Sequence, residues 1–530
     1  MNHILIAPVV LPAVMGALII LWMRADLLLQ RVFSIAGTAL LLGVALYLNW
    51  MASSGEVYVY RLGNWAAPFG IVLMLDRLAA LMVALTAALA LAVQLYAFGS
   101  GWDRKGWHFH ALWQFQLMGV CGAFLTGDAF NLFVFFEILL IASYGLMIHG
   151  GGPMRLRAGV QYIAYNLAGS TLFLAALGVL YAVTGTLNMA DMAARVAMMP
   201  AEDTALLRTG AVLLMLVFAI KASLVPLHFW LPSTYANAPG PVAALFAIMT
   251  KVGVYAILRF YTLVFPQDTV IEGVVMELLL PAALFTLAIG QIGILGTRNL
   301  GRLAAFAAIG SVGTLMIAVS QFTPQATTAA IYYIIHSTLA GAALFLVVDM
   351  IGARRGDLWL RLDGVMPGNG LIAALFFATA IAVVGMPPFS GFIGKLLVLD
   401  ATRDTPQAIW IWGTILVTSL IAIYGMSRAG SLVFWKAYEF QDVPLAKMSP
   451  AAARPGPIPT KLEPDEHIQD LGDAASPALA ASAVGLLLAG IVALTVFAGP
   501  VTRFAADTAA QLHDPSIYLG AVLDNQEGTK

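Results

Sequence analysis

Cysteine is almost absent from this chain, with Cys121 the only one, and that scarcity alone removes two classes of function. No disulfide can form within the chain, and no iron–sulfur cluster with four cysteine ligands can be built from it, so any redox centre would have to sit in a partner. Charge is scarce too: only 10% of residues are charged, and the formal net charge is −1. Without a long run of one sign there is no electrostatic footprint for nucleic acid. The chain has no HExxH pair, no P-loop and no nucleophile elbow, so soluble-enzyme chemistry has no foothold and no cofactor is expected. Gly150, Gly151, Gly152 and Pro153 follow no strand, which predicts a turn rather than a phosphate cradle. Alternating ten-residue strands are missing, which excludes a membrane β-barrel.

Apolar surface is what the chain does have. Hydrophobic residues make up 61% of it and the mean hydropathy is +0.88, far outside the soluble range. Runs of roughly 20 apolar residues, enough to span a bilayer as a helix, recur near 3–22, 31–51, 69–98, 111–127, 129–149, 157–184, 206–231, 239–264, 274–296, 302–320, 325–351, 369–400, 406–436 and 476–499. The expected fold is an all-α polytopic membrane protein of about 14 transmembrane helices. The N-terminal run lacks a basic n-region and a small-residue cleavage site, so it reads as a retained first span. An even count puts both termini on one side. The loops holding Arg24, Arg31, Lys105, Arg155, Arg298, Arg354 and Lys436 are richer in Lys and Arg than the opposite set, in which Arg61, Arg208, Arg259 and Arg403 fall. The richer set is expected in the cytoplasm, with both termini outside, in the periplasm. The organisation read from these runs is helices 1–3 over 1–110, a first five-helix repeat over 111–264 and a second over 274–436. A Pro- and charge-rich cytoplasmic linker over 437–475, a last helix over 476–499 and a short external tail over 500–530 complete it.

Four charged residues fall inside spans: Glu137 in LFVFFEILLIASY, Lys221 in VFAIKASLVPLHFWLP, Lys251 in AIMTKVGVYAILR and Lys395 in GMPPFSGFIGKLLVL. A charge at a helix centre costs roughly 2.5–3.5 kcal/mol on insertion, so each is expected to face a protein-lined or wet interior. Lys251 follows Pro241 by roughly 15 Å of helix, about half the apolar thickness, and cannot easily snorkel out. One carboxylate can neutralise only one of three ammonium groups, and desolvation disfavours the rest, so some of these lysines are expected to exchange protons. The expected relay pairs Glu137 with Lys221, passes through water to Lys251, and releases at Lys395. Pro226 interrupts backbone bonding beside Lys221, and Pro387 and Pro388 do so shortly before Lys395. Unpaired backbone is tolerated in a membrane only where it lines a cavity or is buried in protein. A broken, lysine-bearing helix thus appears near 206–231 and again near 369–400, five spans later, and an odd offset reverses orientation as in inverted transporter repeats. The second half has no acidic match to Glu137. His336 and His228 are secondary pathway candidates because imidazole titrates near neutral pH, although a satisfied buried histidine would look the same. His108, His110 and His149 read as exposed groups at helix ends.

The stretch KASLVPLHFWLPSTYANAPGPVAALFAIMTKVGVYAILR, with FFEILLIASY before it and GMPPFSGFIGK after it, resembles the antiporter-like proton-translocating family. That family is shared by respiratory complex I and the Mrp-type (Pha-type) multisubunit cation/proton antiporters. The resemblance covers almost the whole chain and is greatest to the D-type subunits of the Mrp antiporters. It implies fourteen helices with helices 7 and 12 discontinuous, and it assigns Glu137, Lys221, Lys251 and Lys395 to a central polar axis. Lys395 separates the branches, because the closest complex I relative has a glutamate at the matching place; the short tail sets the chain apart from the large A-type subunits. Many relatives carry a lysine four residues after the histidine of the eleventh span, where this chain has Ala340, so the leg from Lys251 to Lys395 depends on His336 and water. The function implied is that of a proton-translocating subunit of a multisubunit Na⁺(K⁺)/H⁺ antiporter, a secondary transporter rather than an enzyme. It would work in a bacterial inner membrane with Mrp partners of the A, B, C, E, F and G types. A proton-pumping arm of a complex I-like or hydrogenase redox enzyme, and a scaffold whose charges only register subunits, are the alternatives. Acidic groups are too scarce to place a cation or metal site, which is expected on a neighbour.

Overall fold

The computed structural model describes residues 3–65, 68–200, 204–265, 270–441 and 476–523; most of the linker read over 437–475 and the last residues of the tail lie outside them. Helices follow the apolar runs. In chain order they are α1 (Ala7–Trp22), α2 (Leu27–Ala52), strands β1 (Tyr58–Arg61) and β2 (Val72–Leu75), α3 (Arg77–Ser100), α4 (Phe109–Leu125), α5 (Ala129–Met147), α6 (Pro153–Thr184), α7 (Met189–Ala197), α8 (Ala205–Ala222), α9 (Trp230–Asn237) and α10 (Gly240–Leu245). They continue with α11 (Met249–Arg259), α12 (Val270–Gly296), α13 (Leu300–Val319), α14 (Pro324–Arg355), α15 (Asn369–Val384), α16 (Ser390–Ala401), α17 (Ala408–Gly430), α18 (Lys436–Gln441), α19 (Pro477–Val496), α20 (Ala498–Leu512) and α21 (Pro515–Leu523). Among the described residues, 12 helices are long and apolar enough to cross a membrane, counting Gly240–Val264 as one. The fold is therefore the expected all-α polytopic one. Helix α4 and the pair α15 and α16 are shorter.

Local chemistry sets the helix starts. Asp26, Asp76, Asp128, Asn299, Thr323 and Ser476 each accept the backbone N–H three residues on, satisfying a donor that the first turn leaves free. Gly150, Gly151 and Gly152 all have positive φ and make the expected turn between α5 and α6. At the centre stands α14, which packs on α3, α10, α13, α15, α16, α19 and α20 and so buries nearly its whole length.

Three expectations need correcting. The run GIVLML does not open the third span: Val72–Leu75 is a strand, paired antiparallel with β1 so that Tyr58 faces Leu75 and Arg61 faces Val72. A short continuous apolar run reads equally as strand or helix, and here Tyr58, Val59 and Tyr60 in one segment and Val72 in the other favour the ladder. Helix α3 begins only after its cap, Asp76. Second, residues 500–523 fold rather than trail, since α20 packs on α14 and α21 on α7, with Thr327 Oγ1 3.0 Å from His513 Nε2.

Third, His110 and His149 are buried; only His108 is exposed. His110 Nε2 lies 3.3 Å from the Asp103 carboxylate, which also accepts from Arg31 Nε and, at 2.9 Å, from Arg31 Nη2. The clip ties α2 and α4 to the turn after α3. Burial opposes the charge on Asp103, but the hydrogen bonds from His110 and Arg31 outweigh it and hold the carboxyl below its usual 3.8. His149 Nε2 lies 2.8 Å from the Trp102 carbonyl, and burial brings its pKa down to about 4. Asp103→Ala strands two buried donors and is expected to cost about 3 kcal/mol, read as a lower thermal midpoint of the purified assembly. Because the folded pKa is depressed, this stabilisation is present above pH 3.8 and is lost as pH falls through the lower folded value. An unchanged midpoint in Asp103→Ala would show the clip to be idle.

Candidate functional site

Helix α8 carries Lys221 in its last turn, and the chain cannot continue the helix beyond it. Ser223 adopts a left-handed conformation with φ of 60°, and Pro226 has no N–H to offer, so residues 223–229 form an irregular break before α9. Sequence had placed only an interruption at Pro226 within a span to 231; the helix in fact stops at Ala222 and resumes at Trp230. Side chains take up the freed backbone. Trp230 Nε1 donates to the Ile220 carbonyl at 3.1 Å, and Val225 N donates to Thr286 Oγ1 at 2.9 Å. Lys221 thus sits at the negative end of a helix dipole, buried, with Nζ donating to Asn166 Oδ1 at 3.0 Å.

Glu137 does not form the direct ion pair with Lys221 that the sequence suggests. Its half-buried carboxylate accepts from Ser170 Oγ instead, although its charge still reaches Lys221. The difference lies on α6, which offers each charge a neutral partner. The Phe136 ring lies 5.6 Å from Nζ, and α6 presents Asn166 and Ser170 one turn apart on one face, the first to the ammonium and the second to the carboxylate. A cavity of about 10 Å³ beside Lys221, walled by Tyr162, Asn166, Trp230 and Met249, is at the lower limit for one water.

Lys251 lies on α11, which approaches α8 closely because residue 253 is glycine: a Cβ there would stand 2.7 Å from the Phe218 carbonyl oxygen and 2.8 Å from Ala222 N. Ahead of Lys251 the helix tightens. Ala247, Ile248 and Met249 each bond three residues back rather than four, and the Phe246 carbonyl accepts Tyr235 Oη at 3.0 Å. Nothing in LFAIMTK announces this, as it contains neither proline nor glycine. The ammonium is buried, and its one hydrogen bond, to Thr250 Oγ1, is 3.5 Å long. Three donors with one weak acceptor need solvent. A cavity of about 20 Å³, room for about one water, lies against Lys251, Ser311, His336, Ser337 and Ala340. Ala340 thus supplies wall and space where a longer side chain would fill it.

His336, on α14, is buried with Nδ1 2.9 Å from Ser390 Oγ, the first residue of α16, and lies within electrostatic range of both Lys251 and Lys395. The second break runs over 385–389 and contains Pro387 and Pro388; both breaks hold a cis peptide, Val225–Pro226 and Pro387–Pro388. Lys395 lies beyond this break, on α16, yet its side chain reaches back: Nζ donates to the Val384 carbonyl at 2.6 Å and to Ser419 Oγ at 2.8 Å. Both lysines therefore bring their charge to the C-terminal end of the half-helix before a break, although one precedes its break in sequence and the other follows it. His228 stands apart. Its ring packs on Phe229 at 4.5 Å, its Nδ1 has no hydrogen-bond partner, and no hydrogen bond joins it to Lys221.

Several contributors were not legible. Asn166, Ser170, Ser390 and Ser419 are ordinary small polar residues in apolar runs and give no signal of their own. Arg259, counted with the loops, is buried at the end of α11, where Nη2 donates to Asp76 Oδ1 at 3.0 Å and to Tyr255 Oη at 2.8 Å. Asp349 in LVVDM lies within α14, and its signal, an acid in an apolar run, was the same one that marked Glu137. The arrangement is a row of amines held by amide, hydroxyl and carbonyl oxygens rather than by carboxylates. Such groups can gain and lose a proton without abandoning a buried counter-ion.

A family model described as "NADH:quinone oxidoreductase/Mrp antiporter, TM" matches residues 126–422. A probable K⁺/H⁺ antiporter subunit of the D type from Rhizobium meliloti is 36% identical, covering 99% of this chain and 98% of its own. A D-type Na⁺/H⁺ antiporter subunit of Bacillus subtilis is 39% identical, with 82% of this chain and 87% of the relative covered. Among solved structures, a chain of the Mrp complex from Dietzia sp. DQ12-45-1b superposes with a TM-score of 0.86 at 29% identity, covering 99% of this chain and 100% of that one.

Proposed function

Because the chain belongs to the NADH:quinone oxidoreductase/Mrp antiporter transmembrane family, we propose that it is the proton-translocating D-type subunit of an Mrp antiporter, coupling inward proton flow to expulsion of Na⁺ or K⁺. It is a transporter subunit rather than an enzyme, and it works in a membrane with the other Mrp subunits. One observation carries the proton role: three buried lysines, Lys221, Lys251 and Lys395, each make their hydrogen bonds, among the described residues, to neutral oxygens. A structural ion pair would put a carboxylate on each of them, as Asp76 does for Arg259.

The pathway runs from Glu137 through Ser170, Asn166 and Lys221 to Lys251. From there it crosses the water-sized cavity to His336 and passes by Ser390 to Lys395. With α4 and the broken pair α15–α16 counted, the helices make fourteen crossings arranged as two inverted five-helix repeats, broken at helices 7 and 12. The face that holds Lys105, Arg155 and Arg354 is cytoplasmic, both termini are periplasmic, and the membrane is the bacterial inner one. The cation site is assigned to a neighbouring subunit, because acidic residues within the apolar runs of this chain are scarce.

The test is reconstitution. Vesicles holding the purified assembly and an imposed ΔpH should lose it on addition of Na⁺ or K⁺, with the effective ion identifying the substrate. Vesicles that ignore both ions, made from an assembly that carries flavin or iron–sulfur proteins, would instead identify the chain as a pump arm of a redox enzyme.

A further inference from the structure

A cavity of about 820 Å³ opens on the face that carries Lys105, Arg155 and Arg354, and none of the three lysines of the row lines it. Its wall includes Tyr96, Trp102 and the carboxylate of Asp349, near the end of α14. Asp349 accepts from Tyr96 Oη at 2.8 Å and from Trp102 Nε1 at 2.9 Å, and among the described residues it forms no ion pair. The nearby bases are occupied elsewhere. Lys105 Nζ stacks 3.6 Å from the Trp102 ring centroid, Arg155 donates to the carbonyls of Asn237 and Gly151, Arg354 donates to the carbonyl of Met350, and Asp357 at the rim is paired with Arg361. Asp349 is thus a carboxylate held by neutral donors, the Gly240 backbone among them, in a hollow wide enough for many waters.

Its position relative to the lysines is the second observation. The backbone of Gly240, first residue of α10, lies so close that a Cβ there would stand 2.6 Å from Asp349 Oδ1, and the segment α10–α11 leads from that contact to Lys251. On α14 itself, Phe345 lines the Lys251 cavity, and it precedes Asp349 by one turn, about 6 Å of rise. Phe345 meets Tyr235, which also lines the Lys251 cavity, with ring centroids 5.8 Å apart.

We propose that Asp349 is the proton-release group of this subunit: it takes a proton from the cavity of Lys251 by the Tyr235–Phe345 pair and gives it up to the water of the vestibule. The step moves a proton from ammonium, through water, to carboxylate and from carboxylic acid to a vestibule water, which leaves as hydronium; no other bond changes. Lys105, Arg155 and Arg354 give the vestibule a positive field that disfavours Na⁺ and K⁺ beside the carboxylate and favours departure of the proton. The inference rests on the relay reading above, and the experiment separates the two.

In the reconstituted assembly, Asp349→Asn keeps the acceptor for Tyr96 and Trp102 but cannot carry a proton, so exchange per assembled complex should fall by about tenfold or more. Tyr96→Phe removes one donor and keeps the carboxylate, so the pH midpoint of exchange should move while the maximal rate holds. Lys251→Ala is measured alongside. If Asp349→Asn exchanges normally while Lys251→Ala is inactive, the release role is overturned and the relay stands; if both are normal, the relay itself fails. If Tyr96→Phe lowers the rate equally at every pH without moving the midpoint, Asp349 is a structural clamp and the proposal is wrong.

Discussion

Lys251→Ala should reduce cation-driven collapse of ΔpH by roughly 100-fold or more, the lower range for loss of a positioned proton-transfer group, while the assembly purifies in normal yield. The argument is geometric. Lys251 is the one amine of the row whose only hydrogen bond is long, and it borders the cavity that joins the two halves. Alanine widens that cavity and leaves a water chain with no group to hold the proton midway. Folding should be spared because the substitution removes a desolvated charge, leaving behind no carboxylate that depended on it. The measurement is the initial rate of fluorescent-probe recovery in vesicles, scaled to complex quantified by size exclusion. A rate within twofold of the unmodified protein would remove Lys251 from the pathway.

Glu137→Gln should lower exchange by about tenfold or more. Glutamine matches the glutamate in volume and can still accept from Ser170, so packing between α5 and α6 is preserved. What disappears is the anion whose field acts on Lys221 through Asn166 and past the Phe136 ring. Ser170→Ala supplies the contrast: it deletes the hydrogen bond and keeps the charge, so its effect should be several-fold smaller. If Ser170→Ala proves the more damaging of the two, the contact serves to orient α6 and the charge of Glu137 is not used.

How far the molecule could be read in advance depended on the kind of signal. Helical spans announce themselves by length and composition, and charges inside them by sheer cost, so the four residues of the row stood out individually. Their mutual geometry did not. The separation of Glu137 from Lys221 is set by Asn166 and Ser170 of a third helix, and the tightening before Lys251 is imposed by Tyr235 capturing the Phe246 carbonyl. Both are tertiary contacts with no local trace. The strand Val72–Leu75 was mistaken for helix because a continuous apolar run fits either form, and the buried His110 and His149 were missed because their partners, Asp103 and the Trp102 carbonyl, come from another segment. Asp349 was a different failure. It lies inside the run over 325–351 yet only two residues from its end, so the cost of a mid-span charge, which marks the four residues of the row, does not single it out.

The contacts of Lys395 have one more consequence. A peptide oxygen can cradle an ammonium but has no useful basicity, so Val384 can hold the charged form without competing for the proton. When Lys395 lets its proton go, no bare anion is left behind to pull it back, in contrast to the first half, where the carboxylate of Glu137 remains. A half-helix end thus does the work of a counter-ion where, among the described residues, no carboxylate bonds the amine, and it makes the two halves unequal in how firmly they retain what they carry.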